Sequence, residues 1–71
     1  MKKFNLKING VSTFIESEED LFLINILEAY IKKNKNIAVA LNYKIVSKKK
    51  WELTKLNDRD NIEIVTPFPG G

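Results

Sequence analysis

The chain of 71 residues contains no cysteine and no histidine. Without cysteine it can form no disulfide, thiolate nucleophile or cysteine-ligated metal site. Without histidine it also lacks the usual near-neutral general base and the most common metal ligand. We therefore expect the chain not to be an enzyme on its own, with no catalytic residues, no metal site and no bound cofactor.

Long apolar runs are also missing. The first four residues lead directly into an alternating pattern without an apolar leader, and no apolar run approaches the length of a membrane span. These features predict a soluble, unexported, cytoplasmic protein with no membrane partner. A net charge of +3, from 12 basic and 9 acidic residues, suits nucleic acid and an acidic protein partner equally well.

Proline and glycine are scarce except at the end, where Pro67, Pro69 and Gly70-Gly71 lie within the last five residues. The prolines favour an extended arm outside the sheet, and the glycines remove side chains beside the terminal carboxylate. We expect one domain at residues 1–66 and a flexible tail at residues 67–71. Such a tip can enter a narrow slot on another protein; an ordinary frayed end is the alternative.

A β-hairpin is predicted near the start of the chain. Phe4, Leu6 and Ile8 alternate with polar residues up to Asn9-Gly10, after which a second alternating segment begins. Asn-Gly supplies the two positive φ angles of a two-residue type I′ turn.

One amphipathic helix should follow the hairpin. Ser17, or Asp20 if the helix starts late, can cap it, and the acidic residues between them suit the positive end of the helix dipole. Asn34 or Asn36 can end it in the left-handed conformation. The predicted apolar face comprises Leu23, Ile26, Leu27, Tyr30 and Ile31.

Two more strands and an irregular crossover complete the predicted body. Residues 37–41 form a buried strand whose Ala38 and Ala40 let the helix approach closely, and the chain returns after a turn at residues 42–44. Trp51 should cover a corner of the core. A polar turn at residues 57–60 precedes the final strand.

This order of elements predicts an α+β fold: a mixed sheet of four to five strands with one main helix packed across one face. The first and last strands can lie parallel at the centre, because the helix and the crossover supply the long connection. The terminal carboxylate is the candidate reactive group. It is inert at neutral pH, so acyl chemistry needs activation by a separate ATP-using enzyme.

A succession of residues along the whole chain now indicates a family. It comprises residues 38–42, Ile45-Val46, Trp51, Leu56, Asp60, residues 62–65 and Gly70-Gly71. The chain resembles the ubiquitin-like β-grasp sulfur carriers, most closely those of thiamin biosynthesis, the ThiS family. Two positions depart from the family pattern: Ser47 stands where proline is common, and Arg59 where glycine usually precedes the aspartate. The turn at Arg59 therefore either avoids positive φ or accepts strain.

The resemblance implies a cycle of sulfur transfer at Gly71. An adenylyltransferase of the ubiquitin-activating type would adenylate Gly71, consuming ATP that this chain does not bind. A sulfur donor such as a cysteine desulfurase would convert the adenylate to a thiocarboxylate, which would give its sulfur to thiazole synthase. Phe68 would anchor the tail in the partner, and Gly70 would clear the channel.

Three rival functions stay open at this point. The small subunit of molybdopterin synthase shares the fold, tail and thiocarboxylate, and a ubiquitin-like modifier would use the same tail for isopeptide bonds. The third, a nucleic-acid-binding module, would use residues 48–50 as phosphate clamps and Trp51 and Tyr43 as stacking platforms. It gives the glycines no role, so we expect no nucleic-acid partner.

Overall fold

The computed structural model describes residues 1–66. The described elements are, in chain order, β1 Lys2–Ile8, β2 Val11–Ser17, α1 Leu23–Lys33, β3 Ala38–Leu41, β4 Lys44–Ile45, a 3-10 turn Lys48–Lys50 and β5 Asn61–Val65. The strands form one sheet in the order β2-β1-β5-β3-β4. β1 and β5 are parallel, whereas the other neighbouring pairs are antiparallel. The predicted mixed sheet with parallel first and last strands is confirmed.

The first hairpin forms as its Asn-Gly dipeptide predicts. Ile8 pairs with Val11 across the turn, and both turn residues have positive φ, 51° for Asn9 and 81° for Gly10. This is the backbone signature of a type I′ turn, whose twist matches that of the flanking strands.

One face of the sheet and one side of α1 enclose the core. Leu23 and Leu27 of α1 are fully buried, as the predicted apolar face requires, whereas Tyr30 lies at the exposed edge of that face. The buried apolar residues are Phe4, Leu6, Leu21, Leu23, Leu27, Val39, Trp51, Leu56, Ile62 and Ile64. The sheet strands that contribute to this core are the central ones, so β5 runs through the best-packed part of the molecule.

The start of α1 differs from the prediction. The helix begins at Leu23, and its first turn contains no acidic residue. The backbone N–H groups of Leu23 and Ile24 donate to the carbonyl oxygens of Thr54 and Trp51, at 2.8 and 3.1 Å. A segment distant in sequence therefore satisfies donors that a cap at Ser17 or Asp20 was expected to satisfy.

Both predicted cap residues have other partners. Ser17 Oγ donates to the Glu19 carbonyl oxygen at 2.8 Å, and Asp20 forms ion pairs with Lys2 and Lys55. Asn25 Oδ1 accepts a hydrogen bond from the Phe22 N–H at 2.8 Å, which ties the residue before the helix to its first turn.

The end of α1 also differs, because Asn34 is extended, with φ −153°, and Asn36 has no positive φ. The predicted left-handed cap is wrong. Asn34 Oδ1 instead accepts from the Asn36 N–H at 2.9 Å. This local side-chain bond turns the chain without a left-handed residue.

The two alanines of β3 lie on the face of the sheet opposite the helix. Ala38 pairs with Val65 and Ala40 with Glu63, whereas Val39 pairs with buried Ile64. Paired residues of neighbouring strands share a face. The prediction that the alanines let the helix approach is therefore wrong, because the residues of β3 that face the helix are the ones that alternate with the alanines.

Trp51 is a core residue, as predicted. Its side chain is only 3% exposed, and its indole N–H donates to the Val46 carbonyl oxygen at 3.0 Å. The 3-10 turn Lys48–Lys50 before it leaves all three lysines in solvent. The crossover thus closes one end of the core.

Candidate functional site

The site residues predicted from the sequence are Phe68, Gly70 and Gly71. These residues, like the whole predicted tail 67–71, lie outside the described residues. They follow β5 closely in the sequence, so β5 is the part of the described body that connects them to the fold.

β5 has hydrogen-bonded partners on both sides, as far as Ile64 on one side and Val65 on the other. It pairs with β1 on one side at Asn61 and Ile62, and with β3 on the other side as far as Val65. Where the ladder with β1 ends, Asn9 Oδ1 accepts a hydrogen bond from the Ile64 N–H at 2.7 Å. Since Ile62 and Ile64 are also buried, the strand that leads to the predicted tail is a firmly packed element.

Beside the end of β5 lies an apolar strip on the open face of the sheet, which comprises Ala38, Ala40, Ile45 and Val65. Cross-strand pairing brings them together, because Ala38 pairs with Val65 and Ala40 pairs with Ile45. Val65 and Ile45 are 57% and 78% exposed. The two alanines between them are half-buried, and Glu63, which pairs with Ala40, lies at the border of the strip. An exposed apolar patch with a polar rim is a feature of protein-binding surfaces.

Sequence reasoning did not identify the apolar strip. The signal was present in β5, where the alternation places Ile62 and Ile64 inward and Val65 outward, so that an apolar residue occupies a solvent position. The contribution of Ala38 and Ala40 depended on the register with β5, which the sequence does not specify.

The acidic residues of the body are possible metal ligands. Among residues 1–66, no group of three or more acidic side chains is placed to hold a metal ion. Asp60 is buried, and its two carboxylate oxygens accept hydrogen bonds from the Asn42 amide and the Asn57 N–H, at 2.9 and 2.7 Å. These bonds assign Asp60 a structural role.

Asp20 is the carboxylate whose electrostatic environment stands out. The hydrogen bond from Lys2, and after it that from Lys55, holds the pKa of Asp20 below its usual value. The group is exposed, so solvent screens these interactions. They connect β1 to the segment before Leu56 and have no evident chemical role.

The nucleic-acid hypothesis loses one of its two stacking platforms. Trp51 is buried with its indole N–H bonded, so its ring cannot receive a base. Tyr43 is exposed, and Lys48–Lys50 face solvent. Within the described part of the chain, no helix has both the length and the apolar character that crossing a membrane requires.

A five-stranded mixed sheet with parallel central strands β1 and β5 and one helix across a single face is a ubiquitin-like β-grasp fold. The chain belongs to the ThiS family, whose model matches residues 5–71. This membership supports a role as a sulfur carrier in thiamine biosynthesis.

Two solved structures are similar to this chain. The crystal structure of the thiamine biosynthesis protein ThiS from Geobacter metallireducens is 25% identical, with 96% of this chain and 100% of that chain covered and a TM-score of 0.79. The solution structure of a thiamine biosynthesis protein from the same organism is also 25% identical, with 96% and 88% covered and a TM-score of 0.74. A comparison with curated protein sequences gives no significant match.

Proposed function

We propose that the chain carries sulfur for thiazole formation as a thiocarboxylate on Gly71. The observation that carries this proposal is the extent of the family match, which runs through residue 71 and so includes Gly70-Gly71 as well as the body. The absence of cysteine agrees with it, because a chain without a thiol cannot hold sulfur as a persulfide of its own.

The proposed chemistry has two stages, both in partner enzymes. An adenylyltransferase binds ATP, and a Gly71 carboxylate oxygen attacks the α-phosphorus, which releases pyrophosphate and leaves an acyl adenylate. The terminal sulfur of a persulfide on the sulfur donor then attacks the acyl carbon and displaces AMP. A second thiol then attacks the donor sulfur of the resulting acyl disulfide. The thiocarboxylate of Gly71 is the leaving group, and the thiol and the donor are left joined by a disulfide.

The body contributes recognition and presentation to this cycle. Residues 67–71 follow the packed strand β5 in the sequence, and the apolar strip beside the end of that strand offers a docking surface for the adenylyltransferase and thiazole synthase. Phe68 anchors the tail in the partner, and Gly70 allows the backbone into a narrow channel because it has no side chain. ATP is bound by the partner and not by this chain.

Thiazole synthase is the acceptor that the family and both structural neighbours favour, since those neighbours are thiamine biosynthesis proteins. Transfer to a molybdopterin precursor in place of thiazole would contradict this assignment while leaving the carrier chemistry intact.

The test is the intact mass of the chain after incubation with ATP, the adenylyltransferase and a cysteine desulfurase with cysteine. We expect one oxygen of Gly71 to be replaced by sulfur, and a variant that lacks Gly71 to stay unmodified. Unchanged mass of the wild-type chain with active partners would contradict the proposal. Lysine-linked conjugates of the chain would instead support a protein modifier.

A further inference from the structure

A second feature of the open face is a groove at the end of the sheet remote from Val65. It has a volume of about 530 Å³ and is lined by residues of β1, β2 and β5 together with two loop residues. The basic groove, as we name it, comprises Asn5, Lys7, Phe14, Tyr43, Arg59 and Asn61. The pairing of Asn5 with Phe14 and of Lys7 with Asn61 aligns its floor across the three strands.

The basic groove combines exposed aromatic rings with positive charge. Phe14 is 55% exposed and Tyr43 is 82% exposed. Lys7 and Arg59 supply two cations, and no carboxylate lines the groove. Asp58 lies beside the groove: one of its carboxylate oxygens accepts a hydrogen bond from the Asn5 N–H at 2.6 Å, and the other lies 3.9 Å from Arg59 Nε. It offsets part of the charge of Arg59, weakly because both groups are exposed, and leaves that of Lys7. The groove therefore complements a ligand that is both acidic and partly apolar.

Two of the residues that line the groove have strained backbones. Tyr43 has φ 69° and Arg59 has φ 72°. Residues other than glycine, asparagine and aspartate rarely adopt this left-handed backbone conformation. Those that do are concentrated at functional sites. The turn at Arg59 thus accepts the strain that the sequence left as one of two alternatives.

A hydrogen-bond network holds both strained residues in place. Asn42, which precedes Tyr43, donates its backbone N–H to the Asn61 carbonyl oxygen at 2.7 Å and its side-chain amide to Asp60 at 2.9 Å. The Arg59 N–H donates to the Asn5 carbonyl oxygen at 2.7 Å. The two loops are therefore fixed to the sheet and to each other, which presents Tyr43 and Arg59 at defined positions.

We propose that the basic groove binds an acidic segment of the adenylyltransferase. Carboxylates of that segment pair with Lys7 and Arg59, and one of its apolar side chains packs between Phe14 and Tyr43. The groove is open to solvent, and Tyr43 and Arg59 are among the residues that line it. Tyrosine and arginine are among the residue types that contribute most to binding energy at protein interfaces. The identity of the partner rests on the proposed function.

This arrangement separates recognition from chemistry. The groove lies at the N-terminal end of β5, whereas the residues proposed to react follow its C-terminal end. An enzyme that binds the groove recognises the body of the carrier, whether Gly71 carries a carboxylate, an adenylate or a thiocarboxylate. Loss of the groove should therefore raise the KM for the carrier and leave kcat for adenylation unchanged.

The test compares Arg59→Gln, Lys7→Gln and the double variant with Lys48→Gln. The last variant removes the same charge from an exposed residue outside the groove. Affinity for the adenylyltransferase is measured by titration calorimetry at low and high salt. We expect about fivefold weaker binding for each groove variant, more for the double variant, a smaller difference at high salt, and no change for Lys48→Gln.

Thermal unfolding and the kinetics of adenylation complete the test. If Arg59→Gln and Lys7→Gln bind as tightly as wild type, or if Lys48→Gln loses as much affinity as they do, the proposed binding role of the groove is contradicted. The proposed carrier function would not be affected by either result. A fall in kcat without a rise in KM would also contradict the binding role of the groove. If the wild-type chain does not bind the adenylyltransferase at all, the proposed function fails together with the groove.

Discussion

Residues 1–66 contain two hairpin turns of the same type, which differ at their second residue. Asn9-Gly10 joins β1 to β2, and Asn42-Tyr43 joins β3 to β4. The φ angles are 51° and 81° in the first turn and 50° and 69° in the second. Glycine adopts such an angle without steric cost, whereas tyrosine does not. The second turn is therefore built on an unfavourable residue.

Both asparagines do the same work for β5. Asn9 Oδ1 accepts from the Ile64 N–H at 2.7 Å, and Asn42 Oδ1 accepts from the Asn61 N–H at 2.9 Å. The two turns thus hold the two ends of the central strand. The turns differ at the second position, where the first has no side chain and the second has a tyrosine that lines the basic groove, and in the added bond from Asn42 to Asp60. If the groove binds its partner as proposed, the strain at Tyr43 is retained because its ring contributes to that binding.

The largest effect should follow from removing the support that only the second turn has. Asp60→Ala deletes the buried carboxylate that accepts hydrogen bonds from Asn42 and Asn57, and so removes two bonds to a charged group. We expect the free energy of unfolding in urea to fall by about 2–3 kcal/mol. Asp58→Ala, which removes one bond to the Asn5 N–H, serves as a control with a smaller loss. A loss below that of the control would show that the second turn stands without Asp60.

Giving the first turn the tyrosine of the second turn tests whether that residue causes strain. Gly10→Tyr should lower the free energy of unfolding by about 1 kcal/mol, because tyrosine must then adopt φ 81°. A Cβ at Gly10 meets nothing within 4 Å, so this atom causes no clash and the expected loss is the cost of the backbone conformation. Gly10→Asn should cost less, since asparagine tolerates this region. An equal loss in both variants would exclude strain as the cause.

The reverse exchange in the second turn should have a smaller effect of opposite sign. Tyr43→Gly relieves the strain but increases the freedom of the unfolded chain, so we expect a gain of ~0–1 kcal/mol in unfolding free energy. Tyr43→Ala removes the ring and keeps the strain, and should give no gain. Destabilisation by Tyr43→Gly beyond that by Tyr43→Ala would contradict the comparison.

The smallest effect is expected at Asp20, whose ion pairs lie outside both turns. Its pKa is lower in the folded chain than the usual value, so its stabilisation is present above the unfolded pKa and is lost as pH falls through the folded pKa. Unfolding midpoints measured against pH should therefore drop slightly less for Asp20→Asn than for wild type in acid. A larger drop of the unfolding midpoint in acid for Asp20→Asn than for wild type would contradict the stabilising role assigned to the Asp20 ion pairs.

Local rules predicted the first turn completely and the second only in part. Asn9-Gly10 satisfies both positive φ angles by composition, so the sequence specifies its type. The turn after Leu41 was predicted in place but not in type, because Tyr43 contradicts the local preference. The bonds of Asn42 to residues 60 and 61 override that preference, and they join segments far apart in sequence.

The same distinction explains the errors at the helix. Ser17 and Asp20 are good capping residues by composition, yet the backbone of residues 51–54 supplies the acceptors for the first turn of α1. The site divides in the same way. The Gly70-Gly71 motif consists of neighbouring residues and can be recognised in the sequence. The apolar strip and the basic groove depend on the register of the strands and could not be predicted from the sequence.

The most direct test of the account measures two properties of one double variant, Tyr43→Gly with Arg59→Gly. Both substitutions replace strained residues by glycine and empty two sides of the basic groove. We predict that the free energy of unfolding is unchanged or higher, while the affinity for the adenylyltransferase falls at least about tenfold. Binding as tight as that of wild type would contradict the account, because the strain would then serve no interaction.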